Sequence, residues 1–136
     1  MATVTARLSL SSTNIAADSL SVNLAKILTV AGDYRAFKRV VASDLAELFT
    51  DGGIVLEAAS YGKSYVLFHN TSTTENEIIT LGLTDNDNAA DNALETTNMK
   101  LGAGEFAFFP WDASTDIVAD AAAGDPVLEV LLFEAS

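Results

Sequence analysis

The first ten residues alternate strictly, with Val4, Ala6, Leu8 and Leu10 separated by Thr3, Thr5, Arg7 and Ser9. That is the period of a strand with one face toward a core. After the polar run SSTN, Leu20, Val22 and Leu24 alternate with Ser19, Ser21 and Asn23, and Leu28 and Val30 resume the phase beyond Lys26. The pattern predicts a second strand, bulged near Lys26 and closed by a turn at AGD, residues 31–33. SDLAELFTDGG, residues 43–53, has an acidic start, Leu45, Leu48 and Phe49 at helical spacing, and a closing Gly pair, which predicts one short helix.

From Ile54 the strand signal returns in IVLEAAS, KSYVLFHN and NEIITLGL, separated by SYGK and TSTTE. These read as three consecutive antiparallel strands. MKL, GAGEFAFFPW, DIVADAA and VLEVLLFEA follow, with GDP as the turn before the last. Asp112, Asp116 and Asp120 stand one helical turn apart, but like charges at that spacing oppose a helix. A short strand from Asp116 is therefore favoured. Short strands at about ten-residue spacing, with at most one or two short helices, make an all-β chain folded as an antiparallel β-sandwich or barrel.

At 136 residues with 49% hydrophobic content, 8 Gly and 2 Pro, the chain suits a single β-sandwich domain over residues 1–136, with 1–10 as an arm or edge strand. The absence of cysteine excludes disulfides, thiolate ligands and a cysteine nucleophile. MATVTARLSL lacks the charged head and apolar run of a signal peptide, so a soluble product made in the cytoplasm is expected. A net charge of -12 opposes binding to nucleic acid or to an anionic membrane, which both need Lys and Arg at the contact.

The candidate chemistry is sparse. TDNDNAADNALE, Thr84 to Glu95, offers Asp85 and Asp87 in the first two places of a calcium loop, but Ala89, Ala90 and Thr96 stand where an oxygen ligand, Gly and a bidentate Glu belong. A solvated loop is favoured over an irregular cation site. GAGEFA, residues 102–107, has dinucleotide-loop spacing, yet strand residues follow it where a helix should open, so it reads as a turn. His69 is the single histidine, which excludes a multi-imidazole metal site. Ser60, Ser64 and Ser72 lie near it, and none stands in a GxSxG elbow. No catalytic residue, cofactor or metal is expected, although carboxylate pairs stay open among 19 acids.

Two surface candidates remain. Arg35, Lys38 and Arg39 gather three of the seven basic residues, either to pair with local carboxylates or to meet an acidic partner or subunit. In FAFFPW, Phe106 and Phe108 share one face of a strand and Phe109 and Trp111 the other. A sandwich buries only one face, so the second pair must be covered by a loop, a neighbouring sheet or another subunit; coverage by the chain itself is favoured, and Phe109 and Trp111 are the candidates if the cover is a subunit interface.

Taken in order, LSLSSTNIAADSLSVNLAKILTV, YVLFHNTSTTENEIITLGL and KLGAGEFAFFPW followed by PVLEVLLFE resemble the small β-sandwich structural proteins of tailed bacteriophages, in particular head decoration (cement) proteins. The resemblance rests on Asn70 after a hydrophobic strand, the turn Gly104 to Phe106, and the final strand at Leu128 to Val130. Residues 31–53 have no counterpart in it. It implies a jelly-roll-like module, a homotrimer, bound to the major capsid protein on the outer surface of the virion head. A tail or receptor-binding module and a carbohydrate-binding or hydrolytic β-sandwich are the alternatives.

Overall fold

In the computed structural model, residues 2–14, 19–41, 54–84 and 96–136 are described. Among these residues nine strands follow in chain order: β1 (Ala2–Ser12), β2 (Leu20–Val40), β3 (Ile54–Leu56), β4 (Ser64–Asn70), β5 (Ile79–Thr84), β6 (Thr96–Leu101), β7 (Phe106–Trp111), β8 (Asp116–Ala121) and β9 (Val127–Ala135). One turn of 3-10 helix, Ala58–Ser60, separates β3 from β4. The helix expected over 43–53 and the acidic stretch beyond Thr84 lie outside the described residues.

The strands form two antiparallel sheets, β1-β2-β9-β4-β7 and β3-β8-β5-β6. Their pairing is nested: β2 with β9, β3 with β8, β4 with β7, β5 with β6. A long hairpin rolled on itself in this way, with β9 also meeting β4 and β8 meeting β5, is an eight-stranded jelly roll. β1 is an addition, joined among the described residues to the outer edge of β2 alone.

Side-chain alternation builds the core between the sheets. From the first sheet Val66, Phe68, Trp111, Leu128, Val130 and Leu132 point inward; from the second come Leu56, Ile79, Leu81, Leu101, Ile117, Ala119 and Ala121. β4 shows the alternation most cleanly, since Ser64, Val66, Phe68 and Asn70 are buried and the residues between them are half-buried.

Asn70 closes one end of the roll. Its amide Nδ2 donates to the carbonyls of Glu77 (2.8 Å) and Leu101 (3.0 Å), and its Oδ1 accepts from the Ser72 N–H at 3.0 Å. Its backbone N–H donates to the Glu105 carbonyl and its carbonyl accepts from the Gly104 N–H, both at 3.0 Å. One fully buried residue thus ties β4 to the approach to β5, the end of β6 and the turn into β7.

GAGE, residues 102–105, is that turn. The Glu105 N–H donates to the Gly102 carbonyl, and the Glu105 carboxylate accepts from the Gly102 N–H. It carries the chain from one sheet to the other, and the strand β7 follows it where a dinucleotide loop would open a helix. Gly104 has φ of 75° and open space where a Cβ would stand. Gly104→Ala is therefore expected to cost left-handed strain alone, about 1 kcal/mol, read as a lower urea midpoint, with Gly104→Asn costing less.

Three expectations are corrected. β2 does not bulge near Lys26, which pairs in regular register with Ala6. Its irregularity lies between Val30 and Tyr34. AGD does not end the strand either: there β2 changes partner from β1 to β9, so a turn-like sequence serves as a bend. Third, β3, β4 and β5 are strands but not mutual neighbours, because the roll sends β4 to one sheet and β3 and β5 to either side of β8 in the other.

Candidate functional site

The outward face of the first sheet is where this fold leaves its apolar surface. In-register neighbours form rows across it: Lys38, Glu129, His69, Phe106; then Ala36, Leu131, Leu67, Phe108; then Tyr34, Phe133, Tyr65, Pro110. The last two rows are apolar. Tyr34 stacks on Phe133 at 6.1 Å between centroids, and Tyr65 on Phe108 at 6.5 Å. Even so, Tyr34 and Phe106 are each 65% exposed and Phe108 is 40% exposed. In the polar row, Glu129 lies 3.8 Å from the Lys38 Nζ and 3.6 Å from the His69 Nδ1.

The aromatic assignment reverses. Trp111 and Phe109, named above as interface candidates, face the core: Trp111 is buried, its indole N–H donates to the Thr115 carbonyl at 3.1 Å, and Phe109 packs at 5.8 Å from Phe68. The uncovered pair is Phe106 and Phe108. The alternation in FAFFPW separated the two pairs correctly but carried no sign. Register supplies it, because Trp111 is opposite buried Ser64 and Phe109 opposite buried Val66.

The basic cluster is divided as well. Arg35 and Arg39 turn to the core side of β2, opposite Leu132 and Leu128, whereas Lys38 turns outward to Glu129. The Arg35 guanidinium lies 5.4 Å over the Tyr61 ring, a cation–π contact. The Arg39 Nη1 donates to the Ile54 carbonyl at 2.6 Å, and partial burial lowers its pKa from the ordinary value. The three therefore form no single patch. Only Lys38 meets a carboxylate among the described residues, and only it faces the apolar rows.

The catalytic possibilities do not gather. Ser60 donates to Glu57, Ser64 to the Gly62 carbonyl and Ser72 to Glu77, so none of the three addresses His69. No group of three potential metal ligands occurs among the described residues. Asp116 and Asp120 both turn away from the core on β8, and each has a buried oxygen without a partner among the described residues, although the other Asp116 oxygen accepts from the Ala58 N–H at 2.7 Å. Four strand residues span about 13 Å, too far for a pair of glycosidase carboxylates at about 5 to 10 Å.

Asp120 has a measurable consequence instead. Loss of hydration pushes its pKa up, against a smaller opposing backbone hydrogen bond, so folding favours the protonated form. Its ionised form opposes folding above the ordinary carboxylate range, and the penalty fades as pH falls through the raised value. Asp120→Asn is expected to raise the melting temperature at pH 7, with the gain shrinking toward pH 3. Equal gains at both pH values would contradict this.

The surface missed by sequence reasoning is the ribbon made by β1 and the first half of β2. Its pairs Val4–Leu28, Ala6–Lys26, Leu8–Leu24 and Leu10–Val22 set one almost wholly apolar face on two strands. The ribbon leaves the sheet where β9 stops, at the Ala135–Val30 pair. Leu8, Leu10 and Leu24 are exposed on it. The signal was present in β1, whose alternation is regular; what the sequence could not show was that, among the described residues, Leu28 on this face is buried while Leu8, Leu10 and Leu24 stay exposed.

No protein-family model, curated protein or solved structure matches this chain.

Proposed function

We propose that the chain is a non-enzymatic structural module of a phage virion, a decoration protein that binds the major capsid protein on the outer surface of the head. The observation that carries this reading is the uncovered apolar surface, Phe106 and Phe108 on the sheet and Leu8, Leu10 and Leu24 on the ribbon, attached to a closed, well-packed jelly roll. Scattered apolar side chains are ordinary on protein surfaces, but a contiguous set on one face marks contact with another macromolecule. A lattice-binding protein needs such a surface and needs no reaction centre. The resemblance of three stretches to decoration proteins and the net charge of -12, which suits the outside of a DNA-filled head better than the inside, support the same reading.

Immunogold labelling of virions with antibody to this chain tests it. Gold distributed over the head is expected. Label confined to the tail tip would favour a receptor-binding module of the same fold, and unlabelled particles would remove the virion reading.

A further inference from the structure

Between the ribbon and the outward face of the first sheet runs an open groove of about 550 Å3, within the range of about 300 to 1,000 Å3 that ligand sites occupy. Leu67, Phe108 and Phe133 form its floor, and the ribbon walls it with Val4, Ala6 and Leu8. Among the described residues two charged side chains line it, Arg7 and Lys26, and no carboxylate does. Lys26 is directly opposite Ala6 on the groove side of the ribbon, and Arg7 follows Ala6 on the edge strand β1. Neither forms an ion pair among the described residues, where the pairs gather at Glu129. In a chain with 19 acidic and 7 basic residues, an apolar groove bordered by cations alone runs against composition.

We propose that this groove takes an extended acidic segment of another protein, one in which apolar residues alternate with Asp or Glu. Successive side chains of an extended segment point to opposite sides. The apolar set then meets the aromatic floor, and the carboxylates turn to the Lys26 ammonium and the Arg7 guanidinium. Openness favours a peptide over a small apolar ligand, because a small-ligand site encloses most of its occupant, whereas an extended peptide docks with pockets for alternate side chains only. Charge selects the sign, since a basic segment would set like charges against Lys26 and Arg7. The chain's net charge of -12 repels an acidic segment at long range, so selection falls to these two cations at contact, where screening by salt is weakest. A capsid subunit is the carrier that the head-binding reading supplies, but recognition of the segment needs no head, so peptide binding and binding to heads fail or succeed separately.

Fluorescence anisotropy of the full chain with labelled synthetic peptides tests this. The probe is a heptapeptide in which aspartate alternates with leucine and phenylalanine. One control replaces every aspartate with lysine, and the other replaces every apolar residue with serine. The aspartate peptide is expected to bind at least about tenfold more tightly than either control, because charge and apolar contact are both required. Lys26→Glu, checked for an unchanged circular dichroism spectrum, is expected to weaken the aspartate peptide about tenfold and to strengthen the lysine peptide. Absent binding of the aspartate peptide, equal binding of the aspartate and lysine peptides, or an aspartate peptide indifferent to Lys26→Glu would each overturn the proposal. Binding of dodecanoate or of oligothymidylate in place of the aspartate peptide would overturn it as well.

Discussion

Phe68→Ala is expected to remove about 3 to 5 kcal/mol of folding stability, the range for deleting a buried aromatic side chain. Phe68 is fully buried at the centre of β4, between Val130 of β9 and Ala107 of β7, with its ring against Phe109. Interiors are packed close to crystal density, so the surrounding strands relax only in part and a cavity remains. A domain of this size has about 5 to 15 kcal/mol in total, so the variant is close to unfolding at growth temperature. Urea denaturation should show a strongly lowered midpoint with an unchanged slope. A loss below about 1 kcal/mol would mean that Phe68 is not at the centre of a packed core.

Asn70→Ala is expected to cost about 3 kcal/mol, since it strands two carbonyls and one N–H that the amide satisfies, each buried unpaired group costing about 1 to 3 kcal/mol with partial relief by water. Asn70→Asp separates this account from a purely steric one. The aspartate matches the asparagine in shape but sets a carboxylate oxygen against the carbonyls of Glu77 and Leu101, where the amide donates. Burial and the facing carbonyls raise the pKa of such a carboxylate, so the variant is least stable at neutral pH and recovers as pH falls and the group protonates. Melting curves at pH 7 and pH 4 check the sign. A variant equally stable at both would show that the amide is not donating.

The two residues differ in how readily sequence reveals them. YVLFHN reads as a strand, but Tyr65, Val66, Leu67 and Phe68 are all apolar, so the run alone does not say that Phe68 and not Leu67 meets the core; pairing with Val130 and Ala107 does. Asn70 was visible as a residue at a strand end, but its work depends on Leu101 and Glu105, brought to it by the return of β6 and β7. No local pattern encodes that. The all-β class was legible because short strand-like runs recur along the chain with turn signals between them. The partners of each strand were not, because jelly-roll pairing joins segments far apart, such as β2 to β9, and runs of similar strands do not specify which pairs form.

At the candidate surface the sequence separated faces without orienting them. Phe106 and Phe108 were distinguished from Phe109 and Trp111, yet the sequence left the latter pair open between cover by the chain itself and a subunit interface, because an indole and a phenyl ring serve equally well as core or contact. Arg35, Lys38 and Arg39 looked like one patch in the chain, but period 2 sends the middle one of an i, i+3, i+4 set to the opposite face from the other two. AGD carried a turn signal that strand pairing on both sides of it overrides.

The most direct measurement is co-sedimentation of the purified chain with phage heads that lack it, through a sucrose gradient. A head-binding structural module is predicted to travel with the heads at a fixed, saturable ratio, and the Phe106→Glu, Phe108→Glu double variant is predicted to bind less. Wild-type protein that stays at the top of the gradient, away from both mature and expanded heads, would contradict the proposed function.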